Sequence, residues 1–159
     1  ERTFSVITKV LRKHGIVSRT RLQNCSRRFG YIGVYGPYTF RSLMELSFIL
    51  DHEEMDIVES VEEKIAIPYE FEGRKHTYYP DFLLNKSCLV EIKPLSYFDH
   101  SMIIAKRKAA RIYCKERGWV YVMTDWPIDK IRIGRLVEAG KVEIINRSME
   151  EVRVYLGIS

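Results

Sequence analysis

Residues 78–94 read YYPDFLLNKSCLVEIKP, two apolar runs of β-prone residues on either side of the polar break NKS. This pattern is typical of an antiparallel β-hairpin. If residues 85–87 form a three-residue loop, Leu84 lies opposite Cys88. A two-residue loop would break that pairing, so the register depends on the length of the loop.

The hairpin is predicted to bring three charged side chains together. Counting outward from Leu84 and Cys88 puts Asp81 opposite Glu91, and directly opposed side chains share one face with Cβ atoms roughly 4.5–5.5 Å apart. Lys93 lies two residues beyond Glu91, so it projects from the same face. Two carboxylates and one ammonium group would then lie side by side.

Two opposed carboxylates repel each other, which destabilises a hairpin. A hard divalent cation would remove the repulsion, because Mg²⁺ prefers oxygen ligands and is typically held by one or two carboxylates with waters and substrate phosphates. An ordinary hairpin with charged surface side chains is the alternative. The geometry of the hairpin alone leaves both interpretations open.

The spacing of these residues resembles a known nuclease motif. Pro80-Asp81, nine intervening residues and then Glu91-Ile92-Lys93 resemble the PD-(D/E)XK motif. Over a little more than half of its length the chain is similar to TnsA-type transposon endonucleases and to the head-completion nucleases of tailed bacteriophages. The matching blocks are residues 41–46 (RSLMEL), 78–82 (YYPDF), 91–94 (EIKP) and 109–119 (AARIYCKERGW).

This resemblance implies an α/β (α+β) fold with a restriction-endonuclease-like core, in which helices flank a central mixed β-sheet. It also implies an endonuclease that hydrolyses DNA phosphodiester bonds with Mg²⁺, for which Mn²⁺ would substitute, and leaves a 5′-phosphate. The metal ligands would be Asp81, Glu91 and the carbonyl of Ile92. Lys93 would act on the attacking water and the phosphate, and Glu45 would be a third acidic group near the metal.

Glu45 also has a purely structural interpretation. Residues 42–54 are predicted to form a largely buried helix, and Ser42 followed by Glu45 fits a capping box at its start. The two roles are not exclusive. The catalytic residues expected from the resemblance are Glu45, Asp81, Glu91 and Lys93.

The rest of the chain fits a strand-rich core followed by a helical extension. Strands at 64–71 and 74–79 are expected to lead as a meander into the hairpin, while residues 51–63 are expected to be a solvated helix end and loop. A helix at 101–117 would cross over to a buried strand at 119–124, parallel to the second hairpin strand. The remaining predicted elements are a helix at 3–13, loops or a short hairpin at 30–38, a helix at 128–138, a strand at 141–145 and a helix from 148.

We expect three regions: a basic arm (1–36), a nuclease core (37–127) and a C-terminal extension packed on the core (128–159).

The net charge of the chain is +5, which suggests a polyanionic partner such as DNA. Basic residues on the helix at 101–117 and in the arm are candidates for contacts with the DNA backbone, and simple solvation of charged faces is the alternative. The candidates are Lys106, Lys108, Arg111, Arg27 and Arg28.

Several classes of function are disfavoured by what the sequence lacks. The three cysteines include no CxxC pair and the four histidines have no HExxH spacing, so a zinc site is not expected. No apolar run approaches the roughly 20 residues that cross a membrane.

The resemblance implies a cytoplasmic location in a bacterial or phage-infected cell. It also implies a transposase or phage-assembly protein as a partner, and it leaves open whether the protein forms a homodimer.

Two other functions remain compatible with the sequence. One is a structure-selective junction resolvase, and the other is a non-catalytic DNA-binding or assembly protein on the same fold. The complete set of Asp81, Glu91 and Lys93 argues against the second, because a site that has lost its activity would normally have lost one of these residues.

Overall fold

The computed structural model describes residues 30–59 and 65–158 of the chain. The helix predicted at 3–13 and the candidate DNA contacts Arg27 and Arg28 lie outside the described residues. Within the described part, no helix is long and apolar enough to cross a membrane.

The described residues form strands and helices in a mixed order. The strands are β1 (Gly33–Tyr35), β2 (Tyr38–Phe40), β3 (Ile57–Glu59), β4 (Ile67–Phe71), β5 (Arg74–Tyr78), β6 (Phe82–Leu84), β7 (Cys88–Ile92), β8 (Val120–Thr124) and β9 (Val142–Ile144). The helices are α1 (Leu43–Asp51), α2 (Ser101–Glu116), α3 (Lys130–Glu138) and α4 (Met149–Leu156), with a 3₁₀ turn at Leu95–Tyr97.

These elements divide into two compact units. One unit runs from Phe48 to Trp126, and the other combines the described residues up to Ser47 with those from Pro127 onward. The expected division into an arm at 1–36, a core at 37–127 and an extension at 128–159 stays a prediction.

The unit from Phe48 to Trp126 contains a four-stranded mixed sheet in the order β3-β6-β7-β8. In its central hairpin, β6 pairs with β7 in antiparallel fashion, with Leu84 opposite Cys88. The turn closes through the N–H of Ser87, which donates to the carbonyl of Leu84 at 3.1 Å. The predicted three-residue loop and the predicted register of the hairpin are therefore confirmed.

Helix α2 connects β7 to β8, which pair in parallel, as the sequence predicted. The prediction that this last strand is buried is wrong, because Val120 and Val122 of β8 are exposed. The helix ends one residue earlier than expected, at Glu116. Gly118 follows with a φ of +65°, and the Trp119 N–H donates to the Cys114 carbonyl at 2.8 Å. This left-handed glycine ends the helix and turns the chain directly into β8.

A buried cluster fixes α2 against one face of the sheet. Its members come from the sheet, from the β4–β5 ribbon and the residues just before it, and from α2: Ile65, Ile67, Tyr78, Leu83, Leu89, Ala110 and Cys114. On α1, Phe48 stacks on Phe82 of β6, with ring centroids 5.6 Å apart. The central hairpin is therefore packed against α2 through Leu83 and Leu89 and against α1 through Phe82.

Two predictions about the strands of this unit are wrong. Residues 57–59 do not belong to a solvated loop, because they form β3, which pairs antiparallel with β6. Ile57 is buried there, although two β-branched residues among acidic ones give too short a pattern to show in the sequence.

The predicted meander is also wrong, because β4 and β5 form a two-stranded sheet of their own. Pro80 lies between β5 and β6, and proline has no N–H to donate to a continuing ladder. The chain therefore leaves the ribbon before it enters the central sheet.

The other unit contains the three-stranded sheet β2-β1-β9 and the helices α3 and α4, which contact each other. Of the two alternatives expected at 30–38, loops or a short hairpin, the structure has the hairpin. The predicted strand at 141–145 and the capping box of Ser148 and Glu151 are confirmed. Gly33 is required in β1, since a Cβ there would lie 2.3 Å from the carbonyl oxygen of Glu143.

Helix α1 begins after Ser42 and ends at Asp51, three residues before the predicted end. The N–H of His52 donates to the Ile49 carbonyl at 3.1 Å, an i→i−3 bond that tightens the last turn.

Candidate active site

The end of the central hairpin places two carboxylates together. Asp81 and Glu91 occupy the next register position outward from the Phe82–Val90 pair. Both side chains are buried, with relative exposures of 1% for Asp81 and 4% for Glu91. Carboxylates are rarely buried this deeply without ion-pair or hydrogen-bond partners. The partners of each carboxylate therefore define the site.

Asp81 is fixed by the backbone of the opposite strand. Its N–H donates to the Val90 carbonyl at 3.1 Å, and its Oδ2 accepts the N–H of Ile92 at 2.8 Å. Ile92 is therefore part of the site through its main chain.

Glu91 is held by side chains on both of its oxygens. The Nζ of Lys93 lies 3.0 Å from Oε1, and the hydroxyl of Tyr78 donates to Oε2 at 2.8 Å. The Lys93 side chain is 30% exposed, so its ammonium group links the buried acid to the surface. The predicted grouping of Asp81, Glu91 and Lys93 on one face is confirmed.

The electrostatics of the site are dominated by burial and by the two like charges. Burial and the charge of Asp81 raise the pKa of Glu91 from 4.5 to about 7, although Lys93 and the Tyr78 hydroxyl lower it. Burial, and then the charge of Glu91, raise the pKa of Tyr78 well above its ordinary value. The ionised form of Glu91 is therefore disfavoured by its burial and by the neighbouring charge of Asp81, and a cation bound beside the two carboxylates would favour it.

Two tyrosines in the site were missed by sequence reasoning. The hydroxyl of Tyr78 lies 3.2 Å from that of Tyr121, so the two tyrosines and Glu91 form a hydrogen-bonded series. Tyr121 could have been found, since β8 pairs in parallel with β7 and places it diagonally across from Glu91 on one face. No sequence pattern indicated Tyr78, because it lies at the end of β5 and its place beside Glu91 depends on how the separate β4–β5 ribbon packs.

The donors at this point fit a hard divalent cation. Two carboxylates lie together in a buried place, where the charge of Asp81 raises the pKa of Glu91, and oxygen ligands of this kind suit Mg²⁺ and Mn²⁺. Among residues 30–59 and 65–158, no group of three or more His, Cys, Asp or Glu side chains could hold a metal ion. The described site thus has two acidic residues, and a third ligand from Glu45 remains a prediction.

Glu45 is buried at the start of α1. The Ser42 hydroxyl accepts the N–H of Glu45 at 3.1 Å, while the Glu45 carboxylate accepts the N–H of Arg41 at 3.1 Å and the hydroxyl of Ser42 at 3.3 Å. The Ser42 half of the predicted capping box is therefore present, but the Glu45 carboxylate accepts the N–H of Arg41 where a capping box would have the N–H of Ser42.

The candidate DNA contacts on α2 lie in two different environments. The Nζ of Lys106 lies over the rings of Tyr78 and Tyr69, 5.6 Å and 5.9 Å from their centroids. Lys108 and Arg111 are exposed to solvent. Among the three candidates that the structure describes, Lys106 is therefore the one whose contact with a residue of the site is seen.

Comparison with known proteins gives one match, which covers part of the chain. The family model of the TnsA-like endonuclease N-terminal domain matches residues 54–125, a range that includes Asp81, Glu91 and Lys93 but not Glu45. Searches of curated proteins and of solved structures found no significant match. The matched domain implies a restriction-endonuclease-like fold, in agreement with the mixed sheet and its helices. Over residues 54–125 the chain therefore matches the TnsA-like endonucleases, which confirms the predicted resemblance to TnsA-type PD-(D/E)XK nucleases and indicates a nuclease-related function.

Proposed function

We propose that this protein is an endonuclease that hydrolyses phosphodiester bonds of DNA with a divalent metal ion, Mg²⁺ or, in its place, Mn²⁺. The observation that carries the proposal is the buried pair of Asp81 and Glu91 beside the ammonium group of Lys93. The match to a nuclease domain over the same residues supports DNA as the substrate.

The residues that would hold the metal are Asp81, Glu91 and the main-chain carbonyl of Ile92. Bound there, the ion would polarise a phosphate oxygen and lower the pKa of a bound water. The N–H of Ile92 donates to Asp81, which holds that carboxylate against the backbone that would supply the carbonyl ligand. Such bonds orient ligands before a metal binds.

Glu45 is proposed as a further acidic group of the active site. The resemblance to TnsA-type nucleases implies a helical glutamate near the metal, and Glu45 occupies that place in the matching block at residues 41–46. The burial of a carboxylate at this point of the helix is a further reason to assign it more than a capping role.

Lys93 is proposed to act on the reacting groups. Its stem extends from a buried strand and its side chain is partly exposed, so the ammonium group can meet a phosphate arriving from solvent. It would orient the attacking water or help to deprotonate it, and stabilise the negative charge that develops on the phosphorane.

Basic residues of α2 are proposed to bind the DNA backbone next to the site. Lys106 is the best supported, because it lies over the ring of Tyr78, whose hydroxyl contacts Glu91. Lys108 and Arg111 are exposed and would contribute salt-dependent contacts with phosphates further along.

The proposal is tested with Asp81→Asn in a plasmid-nicking assay with Mg²⁺ and with EDTA. We expect the variant to fold normally, because asparagine keeps an oxygen for the Ile92 N–H and loses a repulsive charge, and to melt no lower than wild type without metal. Nicking should be abolished and Mg²⁺ binding weakened.

The matched control is Asp99→Asn, the same change at an exposed aspartate, which should nick DNA like wild type. Cleavage by Asp81→Asn at the wild-type rate would refute the assignment. Metal-independent cleavage by the wild-type protein would refute the metal requirement.

A further inference from the structure

The hydroxyl of Tyr78 donates a hydrogen bond to one of the two carboxylate oxygens of Glu91. From this contact we infer that Tyr78, supported by Tyr121, is a positioning residue that fixes the orientation of the Glu91 carboxylate for metal binding. The inference rests on the proposed function and adds two residues to that site.

The two partners of Glu91 differ in how firmly they can hold it. Lys93 reaches Oε1 through a flexible side chain that is 30% exposed. Tyr78 reaches Oε2 from a ring that is 3% exposed and packed in the cluster against α2. Because a buried ring on a strand has few alternative rotamers, the tyrosine, and not the lysine, sets the carboxylate plane.

Tyr121 continues the same hydrogen-bonded series. Since Tyr78 donates its proton to Glu91, its oxygen is left to accept, and the contact of 3.2 Å with Tyr121 is then a hydrogen bond donated by Tyr121. A bond of this kind strengthens the one that follows it. Tyr121 therefore acts on Glu91 through Tyr78.

The competing explanation is that a buried tyrosine simply needs a partner for its hydroxyl. In that case, removing the hydroxyl would change stability but not the affinity for a metal. Groups that orient a ligating carboxylate behave differently, since their loss typically costs 10–100-fold in metal affinity or activity.

The test uses the full chain with Tyr78→Phe, and titration calorimetry with Mn²⁺ or Ca²⁺ measures metal affinity apart from cleavage. We expect metal binding about 10-fold weaker than in wild type, a higher Mg²⁺ concentration for half-maximal nicking, and a smaller change of the same kind in Tyr121→Phe. In the double variant the effect of Tyr121→Phe should disappear, since it acts through the hydroxyl of Tyr78.

The control is Tyr69→Phe, because that ring packs against the same cluster and also lies beneath Lys106. It should bind metal and cut DNA like wild type. If Tyr78→Phe fails to fold, Tyr121→Phe carries the test, because its ring is only partly buried.

Wild-type metal affinity in Tyr78→Phe, or in Tyr121→Phe where that variant carries the test, would overturn the inference. An undiminished effect of Tyr121→Phe in the double variant would overturn the role of Tyr121. The comparison with Asp81→Asn separates the two proposals. If Asp81→Asn loses metal binding and cleavage while Tyr78→Phe keeps both, only the role of the tyrosine is wrong. If Asp81→Asn keeps both, the proposed function is wrong.

Discussion

At the scale of single residues, the site depends on charges that are held where water cannot screen them. Asp81 and Glu91 are almost fully buried, so each charge has a large effect on the other. Lys93 compensates this only in part, because the pKa of Glu91 remains raised. The proposed roles, metal binding by the carboxylates and action on the water and phosphate by Lys93, can be tested separately.

Replacing Lys93 by alanine should leave metal affinity nearly unchanged and reduce the rate of cleavage. The ammonium group is assigned to the water and the phosphate, and electrostatic and proton-transfer contributions of that kind are each worth about 10²–10³-fold in rate. Calorimetry with Ca²⁺ or Mn²⁺ and single-turnover cleavage measure the two quantities separately.

Lys86→Ala is the matched control for this prediction, since Lys86 is an exposed lysine in the loop of the same hairpin. It should cut DNA at the wild-type rate. An active Lys93→Ala would show that Lys93 is only a partner of Glu91 in the folded state.

The site residues that belong to a single hairpin were predictable from the sequence, and those that reach the site through tertiary packing were not. Asp81, Glu91 and Lys93 follow from strand alternation and one loop length, which the sequence displays. Tyr78 does not, because its hydroxyl reaches Glu91 only through the packing of the β4–β5 ribbon on α2. Contacts that depend on how two sheets lie together leave no periodic pattern.

At the scale of the elements, α1 carries the residue whose two roles are hardest to separate. Ser42 and Glu45 form a cap at its start, and caps contribute on the order of 1 kcal/mol. A role in the active site would come in addition to this contribution.

Glu45→Gln separates the roles, because the glutamine carbonyl can still accept the N–H of Arg41 while the negative charge is lost. We expect near-normal thermal stability and strongly reduced Mg²⁺-dependent cleavage. The melting temperature and the nicking rate are the two measurements.

The control for Glu45→Gln is Glu151→Gln, which makes the same change in the capping box of α4 and should leave cleavage unchanged. If Glu45→Gln cuts DNA like wild type, Glu45 is a helix cap only, and the active site consists of Asp81, Glu91 and Lys93.

Long elements with a regular pattern were predicted well, and short ones were not. Helix α2 and the parallel pairing of β7 with β8 follow from a long amphipathic stretch and a strand–helix–strand order. Strand β3 has only three residues and is stabilised by its pairing with β6, which is distant in sequence. Its existence is a property of the folded sheet, so the local sequence could not reveal it.

At the scale of the whole molecule, the site makes the stability of the protein depend on pH and on metal. Burial and Asp81 raise the pKa of Glu91 from 4.5 to about 7 in the folded state. The folded protein therefore binds a proton at Glu91 more tightly than the unfolded chain does. The sign follows from linkage: this contribution is fully present below pH 4.5 and is lost as the pH rises toward 7.

Without metal, the free energy of unfolding of wild type should therefore fall relative to that of Glu91→Gln between pH 4.5 and 7. The difference should reach at most about 3 kcal/mol. Chemical denaturation in EDTA at several pH values measures it, and the comparison with the variant removes the effect of other groups. Mg²⁺ at pH 7 should recover stability in wild type and not in Glu91→Gln. Equal pH slopes in the two proteins would contradict the assigned burial of a charged Glu91.

The loop of the central hairpin has a consequence for how this chain can change in evolution. Its three residues separate Leu84 from Cys88, and adding or removing one would shift the register, so that Asp81 and Glu91 would face opposite sides of the sheet. Substitutions at the exposed Lys86 leave that register intact. Natural selection would therefore hold the length of this loop constant, and at positions 85 and 86 it would favour residues that tolerate the positive φ values of +46° and +58° found there.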